Sequence, residues 1–136
     1  MKARDIMTSP VISVPPDVPI REVAALMVAH GFTALPVVDD GRLVAIVTES
    51  DLLRSRYGDQ DAADTPVREA MSTPVYGVDP GAPVELLARV MVDDRVRCVP
   101  VLDGSRLVGV VTRRDLVRVM ARADRPTATG GAGELG

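Results

Sequence analysis

The feature that most constrains the fold of this chain is an internal repeat. Residues 5–56 align without gaps on residues 69–120, an offset of 64 positions in a chain of 136 residues. About twenty of the fifty-two aligned pairs are identical, and they include prolines, methionines, aspartates and a threonine. A chance alignment would match mainly common residues such as valine. The chain therefore contains two copies of one structural unit.

Each repeat begins with a predicted strand and a helix. The strand covers residues 11–14 in the first repeat and 75–78 in the second, and a turn rich in Pro, Asp and Gly ends it. Proline is well tolerated at the first position of a helix, where its missing N–H group is not needed. We therefore place Pro19 and Pro83 at the first helical positions.

A hairpin and a second helix complete the repeat. Strands are predicted at 34–38 and 43–47, with Asp and Gly in the turn between them, and the same pattern recurs 64 residues later. The second helix is predicted to begin at Thr48 and, in the other repeat, at Thr112. The predicted fold class is α/β (more narrowly α+β), with two βαββα units related by pseudo-two-fold symmetry.

The first helix of each repeat is apolar on two sides. One side carries aliphatic residues at helical spacing, and the other carries Leu26 and Val28, or Val90 and Val92. One side can pack on the sheet of its own unit, so the other needs a second surface. We therefore expect a homodimer.

One unit of about fifty residues is too small to bury a stable core alone. We assign the first unit to residues 1–57, a short acidic linker to 58–66 and the second unit to 67–124. Residues 125–136 are rich in Pro, Thr, Ala and Gly, and we interpret them as a disordered tail. The two units are expected to pack side by side.

Composition excludes several classes of function. Cys98 is the sole cysteine, so a disulfide framework and a multi-cysteine metal site are excluded. A net charge of −3 argues against a general nucleic-acid binder. The sequence has neither an apolar signal segment at its start nor an apolar run of membrane-spanning length. We therefore expect a cytoplasmic protein that does not bind membranes.

The same pattern closes both repeats, an apolar strand followed by Thr-x-x-Asp-Leu. Thr48 and Asp51 carry it in the first repeat, and Thr112 and Asp115 in the second. The threonine and the carboxylate would meet the free N–H groups of a helix start, and the carboxylate can accept from adjacent ligand hydroxyls. The pattern also resembles a capping box, which needs no ligand. Its recurrence favours a ligand site, but both interpretations remain open.

The repeated unit resembles a CBS domain, and two in tandem resemble a Bateman module. The resemblance rests on Asp-Ile-Met-Thr, Leu-Pro-Val-Val-Asp and Leu-Val-Ala-Ile-Val-Thr-x-x-Asp-Leu in order, and on their counterparts in the second repeat. It implies a stand-alone bacterial regulatory protein that binds AMP, ADP, ATP or S-adenosylmethionine in clefts between the units. The resemblance also implies disc-shaped dimers and a protein that requires no cofactor or metal.

The resemblance assigns a ligand-binding role to specific residues. The aspartates would accept from ribose hydroxyls, the threonines and arginines would contact ribose or phosphate, and the apolar residues would face the adenine. These residues are Thr112, Asp115, Arg113, Arg114, Arg97, Thr48, Asp51, Ile12, Pro36, Tyr76 and Pro100. In the first repeat Thr33 replaces the arginine at 97, and Glu49 and Ser50 replace the pair at 113 and 114. We therefore expect unequal clefts, with the better nucleotide site at Asp115.

The leading hypothesis is a regulatory module that senses adenosine-containing ligands and catalyses no reaction. The alternative is a dimeric interaction protein that binds a macromolecular partner while its clefts stay empty; in either case the regulated protein is unknown. His30 and Cys98 occupy different repeat positions, so the sequence gives no support for a catalytic pair. A stripe of arginines along the last helix is interpreted as a solvated face; it consists of Arg114, Arg118, Arg122 and Arg125.

Overall fold

A computed structural model describes residues 1–9, 11–56, 64–72, 77–94 and 96–123. Most of the predicted linker and the whole predicted tail lie outside these ranges. The elements are α1 (Ala3–Ile6), α2 (Ile20–His30), β1 (Ala34–Asp39), β2 (Arg42–Thr48), α3 (Glu49–Arg56), a 3₁₀ turn (Val67–Glu69), α4 (Val84–Asp93), β3 (Cys98–Asp103), β4 (Arg106–Thr112) and α5 (Arg113–Ala123). Across the described ranges, the helices are too short or too polar to cross a bilayer.

The four strands form one sheet in the order β1-β2-β4-β3. Each repeat contributes an antiparallel hairpin, as predicted, and the hairpins meet at the pair Arg42–Arg106. In the first hairpin Asp40 and Gly41 both have positive φ, at 53° and 80°. This conformation matches the right-handed twist of the flanking strands, and Asp and Gly adopt it readily.

The predicted first strand is wrong in extent in the first repeat, and residues 75 and 76 of its counterpart lie outside the described residues. Within the described residues, Val14 makes a single parallel bridge to Val37, and Val78 makes the equivalent bridge to Val101. The two backbone bonds at Val14 join it to Pro36 and Val38 at 3.1 and 2.9 Å. Proline cannot donate to a ladder, and the prolines on both sides of residues 11–14 limit the pairing to its last residue.

The predicted helix starts are one residue early. Pro19 and Pro83 are N-cap residues in extended conformation, and α2 and α4 begin at the next residue. Thr48 and Thr112 end β2 and β4, so α3 and α5 also begin one residue later than predicted. The cap residue has non-helical backbone angles, which a sequence pattern alone does not separate from the first turn.

The two repeats exchange their leading segments. Ala3 and Ile6 of α1 belong to the core that β3, β4 and α4 form, whereas Val67 belongs to the core of the first repeat. Backbone bonds fix the exchange: the N–H of Ala3 donates to Ala82 at 2.8 Å, and that of Val67 donates to Val18 at 2.8 Å. Each core is therefore completed by residues of the other repeat, and the units form one body.

The exchanged first segment crosses β4 beside Gly109. The N–H of Thr8 donates to Val110 at 2.8 Å, and the N–H of Val110 donates back at 3.2 Å. A Cβ at Gly109 would contact the side chain of Met7. The equivalent crossing, in which the N–H of Ser72 donates to Ile46 at 3.0 Å, lies beside Ala45 in the first repeat.

Candidate functional site

The crossing brings a hydroxyl of the first repeat to a carboxylate of the second. Asp115 lies in the first turn of α5 and is 2% exposed. Its Oδ2 accepts from the backbone N–H of Thr112 at 2.8 Å and from the Thr112 hydroxyl at 3.2 Å. Its Oδ1 accepts from the Thr8 hydroxyl at 3.2 Å and from Nη1 of Arg118 at 2.8 Å. This buried charge is thus compensated by four donors.

Asp51 has the same arrangement in the first repeat. Its Oδ2 accepts from the N–H of Thr48 at 2.8 Å, and the Thr48 hydroxyl accepts from the N–H of Asp51 at 3.2 Å. The hydroxyl of Ser72, which is the repeat equivalent of Thr8, donates to Asp51 at 3.0 Å. Arg54 lies 3.5 Å from the same carboxylate. Each aspartate therefore joins the two repeats as well as its own helix.

Both interpretations of Thr-x-x-Asp find a structural basis. At Asp51 the reciprocal bonds with Thr48 form a capping box. At Asp115 the carboxylate also caps its helix, and it lies in the wall of a cleft of about 470 Å³ between the repeats. Clefts of this size are large enough for a small molecule. Capping thus holds the Asp115 carboxylate at the cleft wall.

The cleft has an apolar wall and a basic wall. The first repeat contributes Ile12, Phe32 and Pro36, and the second contributes Cys98 and Val110. The basic residues all come from the second repeat, from the segment before β3 and from the first two turns of α5. They are Arg97, Arg113, Arg114 and Arg118.

The charged residues of this cleft differ from the residues at the equivalent positions of the first repeat. Four arginines and Asp115 give it a formal charge of +3, with His30 taken as neutral. The equivalent positions of the first repeat hold Thr33, Glu49, Ser50, Arg54 and Asp51, a formal charge of −1. A cleft with a single sign of charge raises the local concentration of oppositely charged ligands. The chemistry of this cleft therefore favours an anion.

Cys98 and His30 border the cleft without forming a reactive pair. Cys98 is buried, as predicted for a small core residue, and burial together with the Asp115 charge raises the pKa of its thiol to about 12. The thiol is therefore neutral at physiological pH and adds apolar surface. His30 stacks on Phe32 with ring centroids 5.1 Å apart, next to the mouth of the cleft.

The structure brings together seven of the eleven predicted site residues. Arg97, Arg113, Arg114, Thr112, Asp115, Ile12 and Pro36 all line the one cleft. Thr48 and Asp51 lie at the equivalent position of the first repeat, and Pro100 is buried in β3. Tyr76 lies outside the described residues.

Four residues that contact the aspartates were not predicted as site residues. Thr8 and Ser72 are hydroxyl residues at one repeat position, and Arg54 and Arg118 are identical in the alignment. Arg118 was interpreted as part of a solvated face, whereas it pairs with Asp115 at 2.8 Å. The exchange of segments brings Thr8 and Ser72 to the aspartates, whereas Arg54 and Arg118 reach them at i,i+3 spacing on the same helix.

Comparison with known proteins agrees with this architecture. The CBS domain family matches residues 3–58 and again residues 67–122. CBS domain-containing protein YhcV of Bacillus subtilis is 37% identical over 114 residues, which cover 83% of this chain and 81% of that protein. The A-adding tRNA nucleotidyltransferase of Geobacter sulfurreducens is 35% identical over 118 residues, 87% of this chain but 13% of that enzyme.

A solved structure provides a three-dimensional comparison. The CBS domain pair of protein MJ0100, in complex with 5′-methylthioadenosine and S-adenosyl-L-methionine, superimposes with a TM-score of 0.81 and 29% identity. The superposition covers 90% of this chain and 98% of that one. The likeness extends over both repeats, including their relative arrangement.

Proposed function

Because this chain belongs to the CBS domain family, with two CBS domains in tandem, we propose that it is a regulatory module that binds a phosphorylated adenosine. The ligand would occupy the cleft that is built on Asp115. We further propose that the module catalyses no reaction and transmits ligand binding to a partner protein. A cytoplasmic location belongs to the same proposal.

The observation that carries the proposal is the basic wall beside a buried carboxylate. Asp115 lies in the same cleft as Arg97, Arg113 and Arg114. A carboxylate is suited to two vicinal ribose hydroxyls, because its two oxygens provide several acceptor positions. Guanidinium groups are suited to phosphate oxygens, to which they donate in pairs. A ribose phosphate matches both in one molecule.

The apolar wall supports adenine as the base. Ile12 and Pro36 from one repeat and Val110 from the other line the cleft. MJ0100 binds adenosyl compounds with a CBS domain pair of the same fold. Here the net positive charge disfavours the cationic sulfonium of S-adenosylmethionine and favours phosphates.

We expect the affinity to follow the phosphate charge. ADP and ATP should bind more tightly than AMP, and AMP more tightly than adenosine or S-adenosylmethionine. Calorimetric titration of the whole chain with these five compounds, at two salt concentrations, measures the order, and the differences should shrink at high salt. Tightest binding of S-adenosylmethionine would overturn the choice of ligand. Absence of heat with all five at millimolar concentration would favour the alternative of a partner-binding protein with empty clefts.

We also propose that the chain forms a homodimer through its helices. Val28 of α2 is 84% exposed and its repeat equivalent Val92 of α4 is 75% exposed. Leu53 and Val117, which are also repeat equivalents, are each more than half exposed on α3 and α5. Aliphatic side chains that recur by the pseudo-symmetry on neighbouring helices favour an isologous interface with a second copy.

The double variant Val28→Asp, Val92→Asp is expected to be monomeric, because the interface would bury two unpaired charges from each of its two chains. Light scattering at micromolar concentration should give twice the 14.4 kDa chain mass for the wild type and the single mass for the variant. Ser105→Asp, which adds one aspartate in the exposed turn between β3 and β4, is the control and should leave the dimer intact. A wild type that scatters as one chain would contradict the dimer.

A further inference from the structure

Asp115 has no acceptor position left for a ligand in this conformation. A carboxylate offers about four lone-pair sites, and Thr8, Arg118 and the two donors of Thr112 occupy that number. The proposed function requires this carboxylate to accept from ribose hydroxyls. One of the present donors must therefore leave when a ligand binds.

Arg118 is the donor that can leave most readily. The N–H of Thr112 belongs to the backbone at the start of α5, and Thr8 is held by two backbone bonds to Val110. Arg118 instead reaches Asp115 from one turn further along α5, and its side chain is 58% exposed. The carboxylate of Asp115 is buried, so its charge stays compensated only if a ligand hydroxyl takes the place of the departing guanidinium.

Arg118 also lines the same cleft as Arg113 and Arg114. Once released from Asp115, its guanidinium remains tethered at the phosphate side of the site. It has five donors and no acceptor, so an anionic oxygen is its natural new partner.

We propose that Arg118 exchanges partners on ligand binding, and this proposal rests on the proposed function. A ribose hydroxyl takes its position at Oδ1 of Asp115, and the guanidinium moves to the phosphates of the same ligand. The exchange makes Arg118 a specificity-determining residue. Adenosine must displace it without providing a new partner, whereas ADP provides one.

The test compares ADP with adenosine in Arg118→Ala. The variant should bind ADP about tenfold more weakly, because a charged hydrogen bond to phosphate is lost. It should bind adenosine as well as or better than the wild type, because no donor competes for Asp115. Calorimetry gives the ADP affinity, and competition against ADP gives the adenosine affinity.

Arg54→Ala is the matched control, because it removes the equivalent contact of the first repeat, 3.5 Å from Asp51. It should leave the ratio of ADP to adenosine affinity unchanged. Equal weakening of both ligands by Arg118→Ala would show that Arg118 only positions Asp115, and unchanged ADP binding would show that it reaches no phosphate. Either result overturns the exchange while leaving the proposed function intact. A wild type that binds neither ligand overturns both proposals.

Discussion

Asp115→Ala is expected to weaken ADP binding roughly ten- to a hundredfold. The carboxylate would accept charged hydrogen bonds from the ribose, and such bonds contribute about 1.5–3 kcal/mol. The variant also loses the cap of α5, at a cost of about 1 kcal/mol in folding free energy. Calorimetry measures the affinity, and urea unfolding of the same sample measures the stability.

Asp51→Ala separates these two effects. Asp51 caps α3 and is equally buried, so its loss should cost a similar folding free energy. Asp51 is not among the residues that line the cleft built on Asp115, so Asp51→Ala should lower ADP affinity by no more than about threefold. If Asp51→Ala abolished binding while Asp115→Ala left it unchanged, the assignment of the two repeats would be reversed.

Replacing the basic turn of α5 by the equivalent turn of α3 should have the largest effect on affinity. Arg113→Glu combined with Arg114→Ser gives the second repeat the residues of the first. A unit charge about 5 Å from a phosphate contributes about 3 kcal/mol at an effective dielectric of 20, and less at an exposed position. We expect ADP affinity to fall at least a hundredfold, whereas adenosine affinity stays within about threefold.

The reciprocal variant, Glu49→Arg with Ser50→Arg, is the control for the change in total charge. It should leave binding at the Asp115 cleft within about twofold, because those positions lie in the other repeat. Equal losses of ADP and adenosine in the Arg113→Glu, Arg114→Ser variant would contradict the assignment. They would mean that the turn supports the fold rather than the phosphates.

The repeat made most of this fold predictable from the sequence. Pattern and turn chemistry placed the hairpins and the helices, because each depends on residues close in sequence. The Thr-x-x-Asp pattern and the resemblance placed Asp115 and its neighbouring arginines, which the structure gathers in one cleft. Comparison of the two repeats predicted the asymmetry of charge.

The exchange of leading segments could not be predicted from either repeat alone. Thr8 and Asp115 are 107 positions apart, and no local pattern specifies that they meet. The length of the first strand in the first repeat was overestimated. Apolar residues extend a sheet only where they pair with a neighbouring strand, and flanking prolines limit that pairing. The pair of Arg118 and Asp115 is local, at i,i+3 spacing on α5, and the arginine is 58% exposed as well as paired, so this stripe is only in part a solvated face.

We propose that one nucleotide binds between the repeats, with its ribose on Asp115 and its phosphates on the arginines of α5. A crystal structure of the whole chain grown with ADP tests it most directly. We expect ribose hydroxyls within hydrogen-bond distance of Asp115, phosphates beside Arg113 or Arg114, and Arg118 turned away from the carboxylate. A nucleotide bound at Asp51, with none in the cleft built on Asp115, would contradict this assignment of the site.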